Sequence, residues 1–305
     1  MRESLFVLMF LFSFVLSAQN LKPIELNEDW LNKISDLVPE TAKEPGSAEK
    51  QILIFSLHTG YEHWTIPHTA AVMEILVDKI ESYNSVTSFD IQEFQMENLK
   101  KYDAVILNNN CSKRDKRNLF WDVLSQNKSL SKEQAEKQAN AMENNLLEYV
   151  RSGGGLIVLH GGITMQNKSD AFSELVGGSF DYHPKQQNIK VELVDADHPL
   201  LSAFEGKGFE HIDEPYFFNN AYFDYDFRPL LYMDANSLTD LREPVEDNIK
   251  YISWIKRYGN GRVFYSSLSH NAQSYDNSGL LKFLSDGMRY AAGELACDDA
   301  PMGKP

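Results

Sequence analysis

Continuous apolar runs of strand length alternate with amphipathic segments through the first half of the chain. Residues 51–57 (QILIFSL) and 156–159 (LIVL) are almost wholly apolar, which is typical of strands buried on both faces. Between them the pattern predicts a helix that opens at Pro67, strands over 86–94 and 104–107, and a helix over 132–150 with the capping box Ser131–Gln134. This alternation indicates a mostly parallel sheet covered by helices on both faces.

The second half of the chain reads as short strands with few helices between them. Strands are predicted over 189–193, 209–212, 230–233, 249–258 and 262–266. The turn sequence YGNGR at 258–262 supplies residues that tolerate positive φ, so the last two strands should form a hairpin. With a final helix over about 279–292, we predict one α/β domain, a three-layer sandwich with an antiparallel C-terminal extension.

The first eighteen residues are predicted to be a secretory signal peptide. Arg2 precedes an apolar run over 5–16, which is shorter than the roughly 20 residues of a membrane helix, and Ala18 suits the cleavage position. An uncleaved anchor is the alternative. The mature chain is then expected to be periplasmic or secreted, without membrane insertion, and to comprise a leader over 19–50, a domain over 51–295 and a tail over 296–305.

Composition and charge exclude several classes of protein. The 305 residues are 43% hydrophobic, which is ample for a core, and Gly and Pro contents are ordinary, so disordered and fibrous classes are excluded. Forty-four acidic against 29 basic residues give a net charge of −15, so nucleic acid is a poor partner. Two cysteines, Cys111 and Cys297, cannot build a disulfide framework or a cysteine-based zinc cluster.

Polar residues follow the predicted strands at their carboxyl ends, where ligands bind in an open parallel sheet. The first strand leads into the segment 58–64 (HTGYEHW), and the strand over 156–159 leads directly into His160-Gly161-Gly162. Other candidates follow later turns and strands, namely His183, Asp213, Glu214 and His270. We therefore expect these side chains to share one crevice, whereas His58, His68 and His198 are interpreted as structural.

Several short motifs, in order along the chain, resemble one known family. They are HW at 63–64, GGGLIVLHGG at 153–162, LVGGSFDYHP at 175–184, DHP at 197–199, DEPY at 213–216, YGNGRVFY at 258–265 and SH at 269–270. Over residues 51–292 the chain is similar to the trehalose-utilisation (ThuA-like) family, and only residues 111–128 look like an insertion. The resemblance implies a flavodoxin-like fold of the class I glutamine amidotransferase type and a role in carbohydrate utilisation, with 3-keto-glycosides as the implied substrates.

The resemblance also implies an exclusion. Amidotransferases of this fold carry a nucleophilic cysteine on the sharp turn after a central strand, and His160 takes that place here. Cys111 follows a different strand, and Cys297 lies near the C-terminus. Without a thiolate on the turn no acyl-enzyme forms, so we expect no glutamine amidotransferase activity.

Histidines and carboxylates at one crevice suit two kinds of chemistry, which their spacing does not separate. Neutral imidazoles act as general acids and bases, or they bind a divalent metal such as zinc. For acid–base catalysis we assign His63, His160, Glu214 and His270; for metal binding we assign His63, His160, His183 and Asp213. The glycines at 153–155 precede a strand and are not followed by GK[ST], so no nucleotide cofactor is expected.

Two functional classes remain open from the sequence. The first is an isomerase, lyase or hydrolase acting on a glycoside or an oxidised sugar. The alternative is a non-catalytic sugar-binding protein of a glycan-uptake system. In either case the partner is a small sugar, which four nearby aromatic side chains would bind by stacking, Tyr61, Trp64, Tyr182 and Tyr216; their alternative role is ordinary core packing. A homo-oligomer is left open.

Overall fold

The computed structural model describes residues 21–42 and 48–304, and the predicted signal peptide lies outside them. The strands are β1 (Lys50–Phe55), β2 (Tyr83–Ser88), β3 (Ala104–Asn108), β4 (Gly155–Leu159), β5 (Ser179–Tyr182), β6 (Gln187–Leu193), β7 (Phe209–Asp213), β8 (Phe217–Asn219), β9 (Arg228–Asp234), β10 (Ile249–Tyr258) and β11 (Gly261–Ser266). The helices are α1 (Glu28–Leu37), α2 (Ile66–Asp78), α3 (Met96–Leu99), α4 (Leu119–Leu124), α5 (Lys132–Arg151), α6 (Asp170–Val176) and α7 (Ser278–Ala291).

Nine of these strands form one sheet in the order β2-β1-β3-β4-β11-β10-β9-β6-β7. The first five are parallel, and the sheet becomes antiparallel at β10. The predicted hairpin is confirmed, because Tyr258 pairs with Gly261 across its turn. β5 and β8 form a separate two-stranded ribbon, which the sequence pattern did not predict. The predicted α/β class, with a mostly parallel sheet and an antiparallel extension, is confirmed.

Helices cover both faces of the sheet because the central strands are apolar on both sides. In β1, Ile52 and Ile54 point into a core shared with α2 and α7, whereas Leu53 and Phe55 point into a core shared with α5. This alternation follows from the two-residue repeat of a strand. The result is a three-layer arrangement in which the ends of the parallel strands are the natural position for a ligand.

The helix α5 begins and ends where its sequence predicts. Ser131 Oγ accepts the N–H of Gln134, and the Gln134 side chain accepts the N–H of Ser131, so the predicted capping box is present. Gly153, with a φ of +124°, turns the chain after the helix and leads into β4. The helix stop therefore delivers the chain directly to the centre of the sheet.

The predicted strand over 86–94 is wrong in its second part. β2 ends at Ser88, and Ile91–Phe94 forms a 3₁₀ helix, whose first turn is capped by Asp90. Ile91 and Phe94 are both buried, as the three-residue repeat of a 3₁₀ helix requires. An apolar pair with this spacing also fits an irregular strand, which is why the pattern alone misassigned it.

The segments on either side of the predicted domain contact it. Trp30 and Ile34 of α1 are buried in the same core as α2. Near the C-terminus, Asp298 forms an ion pair with Arg228 at 3.2 Å. Within residues 21–42 and 48–304, no helix combines the length and the apolar character that crossing a membrane requires.

Candidate functional site

The turn after β4 places His160 at the carboxyl end of a central parallel strand. His160 is fully buried and has a φ of +44°, a left-handed conformation that costs a non-glycine residue about 1–2 kcal/mol. The following N–H, of Gly161, donates to Asn109 Oδ1 at 3.1 Å. A Cβ on Gly161 would lie 2.8 Å from Cys111 Sγ and 2.9 Å from His63 Cε1, so the close packing of this turn requires glycine.

Four side chains from distant segments converge beside this turn. His63, His160, Glu214 and His270 each present one potential ligand atom, and all four atoms lie within 4.8 Å of one another. His160 Nε2 lies 3.2 Å from His270 Nδ1 and 3.4 Å from Glu214 Oε2. Glu214 Oε2 lies 3.2 Å from His270 Nδ1. These four residues, hereafter the His₃Glu cluster, could hold a divalent metal ion.

Backbone contacts fix the orientation of two imidazoles near the cluster. His160 Nδ1 lies 2.5 Å from the carbonyl oxygen of Ser267, and because a carbonyl only accepts, the ring nitrogen donates. The neutral His160 ring therefore presents an unprotonated Nε2 to the cluster. In the same way, His183 Nδ1 donates to the carbonyl oxygen of Pro184 at 2.9 Å, which leaves Nε2 of that ring free to accept a proton.

Asp213 supports the cluster and is not part of it. Its Oδ2 accepts from His211 Nε2 at 2.6 Å and from the N–H of Ser269 at 3.0 Å, and its Oδ1 accepts the N–H of Glu214 at 2.8 Å. The carboxylate predicted as a metal ligand is thus occupied by protein donors. Asp213 fixes the chain on both sides of the cluster, at Glu214 and next to His270.

His183 lies at the rim of the cluster. Its Nε2 is 3.6 Å from Glu214 Oε2, and a third of its side chain is exposed. Its ring stacks on Tyr216, with the ring centroids 5.7 Å apart and an interplanar angle of 20°. The residue predicted as a ligand therefore lies on the solvent side of Glu214.

Burial and mutual charge set the protonation of the cluster. Burial, followed by the charges of His160 and His270, holds the pKa of His63 well below its ordinary value. Burial opposes ionisation of Glu214, but hydrogen bonds and charges from His160 and His270 outweigh it and lower the pKa of this carboxyl. Burial likewise disfavours a charged His270, yet Glu214 raises the pKa of His270 overall. The cluster therefore combines a carboxylate with imidazoles that differ in basicity.

A crevice of about 690 Å³ opens above the cluster. Two of the four aromatic residues predicted to bind a sugar, Tyr216 and Tyr61, line it. The Tyr216 ring packs 4.3 Å from the His160 ring, and the Tyr61 ring meets the His63 ring edge-on at 4.7 Å. The volume falls in the range of about 300–1,000 Å³ that is usual for small-molecule sites.

The other two predicted aromatic residues lie outside the crevice. Trp64 packs edge-on against His68, with ring centroids 5.1 Å apart, and belongs to the core around α2. Tyr182 stacks on Phe217 at 4.7 Å and carries the Arg242 guanidinium over its ring at 4.0 Å. Two groups this close need opposite faces of the Tyr182 ring, so neither face is open to a sugar.

The sequence profile of the trehalose-utilisation (ThuA) family matches residues 51–291, which is most of the chain. The chain belongs to the ThuA family. The match includes all four residues of the His₃Glu cluster and the motifs that carried the resemblance. Among curated proteins, no sequence matches this ThuA-family chain.

Solved structures similar to this ThuA-family chain include two bacterial ThuA-like proteins. A putative ThuA-like protein from Bacteroides uniformis is 17% identical, with a TM-score of 0.61, and the similarity covers 82% of this chain and 94% of that one. A putative ThuA-like protein from Parabacteroides merdae is 16% identical, with a TM-score of 0.57 and coverage of 83% and 97%. At these identities the similarity supports the fold.

The segment after β3 supplies site residues of this ThuA-family chain that the sequence reasoning missed. Cys111 Sγ lies 3.7 Å from His63 Nδ1, and burial raises the pKa of this thiol to about 11. Lys113, Arg114 and Arg117 line the crevice wall. The signal was available, because this segment follows the carboxyl end of a predicted parallel strand, but its residues were interpreted as an insertion.

Proposed function

We propose that this ThuA-family chain is a metal-dependent enzyme that acts on a glycoside, with a 3-keto-glycoside as its substrate. The observation that carries the proposal is the spacing of the His₃Glu cluster. Around a tetrahedral zinc with bonds of about 2.0–2.1 Å, neighbouring ligand atoms lie about 3.3–3.4 Å apart. The three distances among His160 Nε2, His270 Nδ1 and Glu214 Oε2 are 3.2, 3.2 and 3.4 Å.

The donor set also suits a divalent metal chemically. His160 is held by the Ser267 carbonyl oxygen in the tautomer whose Nε2 lone pair faces the cluster. Glu214 adds one negative charge to three imidazoles, which is an ordinary ligand set for zinc. When bound, such an ion would polarise a sugar carbonyl oxygen and make the neighbouring C–H more acidic.

Side chains of the protein would carry out the remaining steps of the reaction. His183 presents the free Nε2 toward the crevice, 3.6 Å from Glu214, and we assign it as the general base that removes the acidified proton. The buried Tyr216 packs against the rings of His160 and His183 and holds both in place, and its hydroxyl stays protonated because burial raises the pKa well above the ordinary value. His160 occupies the turn where an amidotransferase carries cysteine, which supports the exclusion of glutamine hydrolysis.

The proposal is tested by metal analysis and turnover on the same preparation. Purified protein should contain about one zinc or similar ion per chain and should convert a 3-keto-disaccharide. His183→Gln should keep the metal and lose about 10²–10⁴ in rate, as expected for a general base. A protein without stoichiometric metal, or one that binds the sugar without converting it, would contradict the proposal; the second result would instead favour a sugar-binding protein.

We also propose that the protein is exported. The support is the apolar run over 5–16 with Ala18 after it. Mass spectrometry of the soluble protein from its native host should find a chain that begins at Gln19. A soluble chain that retains Met1 would contradict export by signal cleavage.

A further inference from the structure

Three basic side chains line one wall of the crevice in a strongly acidic protein. The chain carries a net charge of −15, yet Lys113, Arg114 and Arg117 all face the same cavity as Glu214. Arg117 is half-buried, and its electrostatic neighbours include Cys111 and Tyr216, which also line the crevice. A cluster of cations at a concave site raises the local concentration of anions and selects ligands by charge.

These cations lack carboxylate partners within the part of the chain that the structure describes. Among the described residues, no ion pair with an Asp or Glu side chain involves Lys113, Arg114 or Arg117. The carboxylate whose charge acts on Arg117 is Asp122, and it already accepts hydrogen bonds from other groups. Its Oδ2 accepts from Thr59 Oγ1 at 2.6 Å and from the N–H of Lys113 at 2.8 Å. The positive charge of the wall is therefore available to a ligand.

Lys116 lies in the same segment as these three cations but does not face the crevice. Lys116 turns away from the crevice, where its Nζ lies 3.9 Å from Glu136 Oε1 and 4.7 Å from the centre of the Trp121 ring. One basic residue of the segment is thus satisfied by the protein, and three are directed to the cavity. Lys116 consequently provides a matched control for the loss of one positive charge.

The basic wall is held in place by its own backbone. The N–H of Arg117 donates to the carbonyl oxygen of Lys113 at 3.0 Å, and Arg117 Nη1 donates to the carbonyl oxygen of Ser112, also at 3.0 Å. Arg117 has a φ of +51°, a left-handed conformation that is unfavourable for arginine. Strain of this kind persists where surrounding contacts impose it, and it is frequent at ligand sites.

We infer that the crevice takes a sugar that bears an anionic substituent, a carboxylate or a phosphate ester. Arg114 and Arg117 of the basic wall bind this substituent. The inference rests on the proposed function for its assumption that the ligand is a sugar. Glu214 and the histidines contact the reacting part of the sugar, and the anionic group lies at the wall, away from the Glu214 carboxylate. Arginine suits this role because its planar guanidinium donates two parallel hydrogen bonds to a carboxylate or phosphate.

The inference is tested by calorimetric titration with three sugars that differ in charge. The probes are methyl glucoside, glucuronate and glucose 6-phosphate, each titrated into protein whose metal content has been measured and into protein treated with a chelator. The charged sugars should bind about ten- to 100-fold more tightly than methyl glucoside, as expected for one or two charge-assisted hydrogen bonds. The tighter of the two charged sugars identifies the substituent as a carboxylate or a phosphate.

Variants of the wall show whether it causes the preference. Arg117→Asn removes the guanidinium and keeps a residue that tolerates a left-handed backbone, and it is combined with Arg114→Gln. The double variant should bind all three sugars alike, whereas Lys116→Gln should change each affinity less than twofold. Thermal melting confirms that the variants are folded.

The inference and the metal-dependent function fail on different measurements. The inference is wrong if none of the sugars binds, if the neutral sugar binds as tightly as the charged ones, or if the preference survives in the double variant or disappears with the chelator. If metal is present in stoichiometric amount in those cases, the metal site stands. If the preference is present and lost with the double variant while no metal is found, the inference stands and the metal-dependent function fails.

Discussion

His160 donates its Nδ1–H to the carbonyl oxygen of Ser267, and this one contact decides which nitrogen of the ring faces the cluster. Ser267 directly follows β11, and His160 directly follows β4, so the contact joins the ends of two neighbouring parallel strands. The ring is therefore oriented by the sheet itself. A backbone carbonyl behind a histidine is one of the acceptors by which proteins orient histidines that bind metals.

Replacement of His160 by alanine should remove metal binding and activity from a protein that still folds. The substitution removes one of the four proposed ligands and the donor to Ser267, and loss of turnover should reach at least 10²-fold, of the order found for an acid–base group. Metal content and rate per folded molecule are the measurements. His68→Ala is the control, because His68 packs between Trp30 and Trp64 and should lower only the melting temperature. Unchanged metal content and rate in His160→Ala would refute the site.

Removal of the proposed metal should lower the melting temperature of the wild-type protein. A ligand at 100 times its dissociation constant stabilises the folded state by about 2.7 kcal/mol, which corresponds to roughly 5–10 °C for a domain of this size. Melting with and without a chelator measures the difference. The same comparison on His160→Ala should show no difference, and a shift of equal size in that variant would place the metal elsewhere.

Gly161→Ala should weaken metal binding without touching a ligand atom. The added Cβ would lie 2.9 Å from His63 Cε1 and 2.8 Å from Cys111 Sγ, so the His63 ring must move. We expect metal affinity to fall about 10–100-fold, as when the support of a ligand is disturbed. Gly206→Ala is the control, since its Cβ meets nothing within 4 Å although its φ of +73° makes the substitution strained. Equal metal affinities in the two variants would contradict this account.

Glu143→Gln should stabilise the protein at neutral pH and lose this effect in acid. Burial raises the pKa of Glu143, against the hydrogen bond from Ser169. A pKa that is higher in the folded than in the unfolded chain contributes stability at low pH, which is lost as pH rises through the folded pKa. The advantage of glutamine should thus grow from about pH 4 to about pH 7 in thermal melts.

Glu148 lies on the same helix as Glu143, and its substitution should change stability with pH in the opposite direction. Hydrogen bonds from Ser152 and Arg151 lower the pKa of Glu148. Glu148→Gln should therefore slightly destabilise the protein at neutral pH, and the difference should vanish as pH falls below the ordinary carboxyl range. If the melting temperatures of Glu143→Gln and Glu148→Gln, relative to the wild type, changed with pH in the same direction, the environment assigned to Glu143 would be wrong.

The sequence was sufficient to locate His160, because the residues around it carry a strong local pattern. An uninterrupted apolar run followed by a polar residue and two glycines indicates a buried strand that ends in a tight turn. The pair Asp213-Glu214 is different. Which of two adjacent carboxylates faces the histidines depends on the last register position of β7, where Asp213 pairs with Gln187. Sequence spacing does not contain that long-range pairing.

The segment after β3 was beyond local patterns for the same reason. Its path is fixed by Asn110 Nδ2, which donates to the carbonyl oxygens of Phe55 and Leu57 on the neighbouring strand and loop, at 3.0 and 2.8 Å. Neither periodicity nor composition indicates such contacts. Cys111 and Arg117 reach the crevice through them, whereas the sequence indicated only an insertion relative to the family.

The four residues of the cluster lie on segments that run from His63 to His270, so nearly the whole domain separates its first residue from its last. A partly synthesised or unfolded chain holds no more than a fragment of the site, and a metal cannot guide the early steps of its folding. Acquisition of the proposed metal is consequently the last event of maturation. The compartment in which the sheet closes would then determine which ion the cluster takes, whatever metals the chain met before.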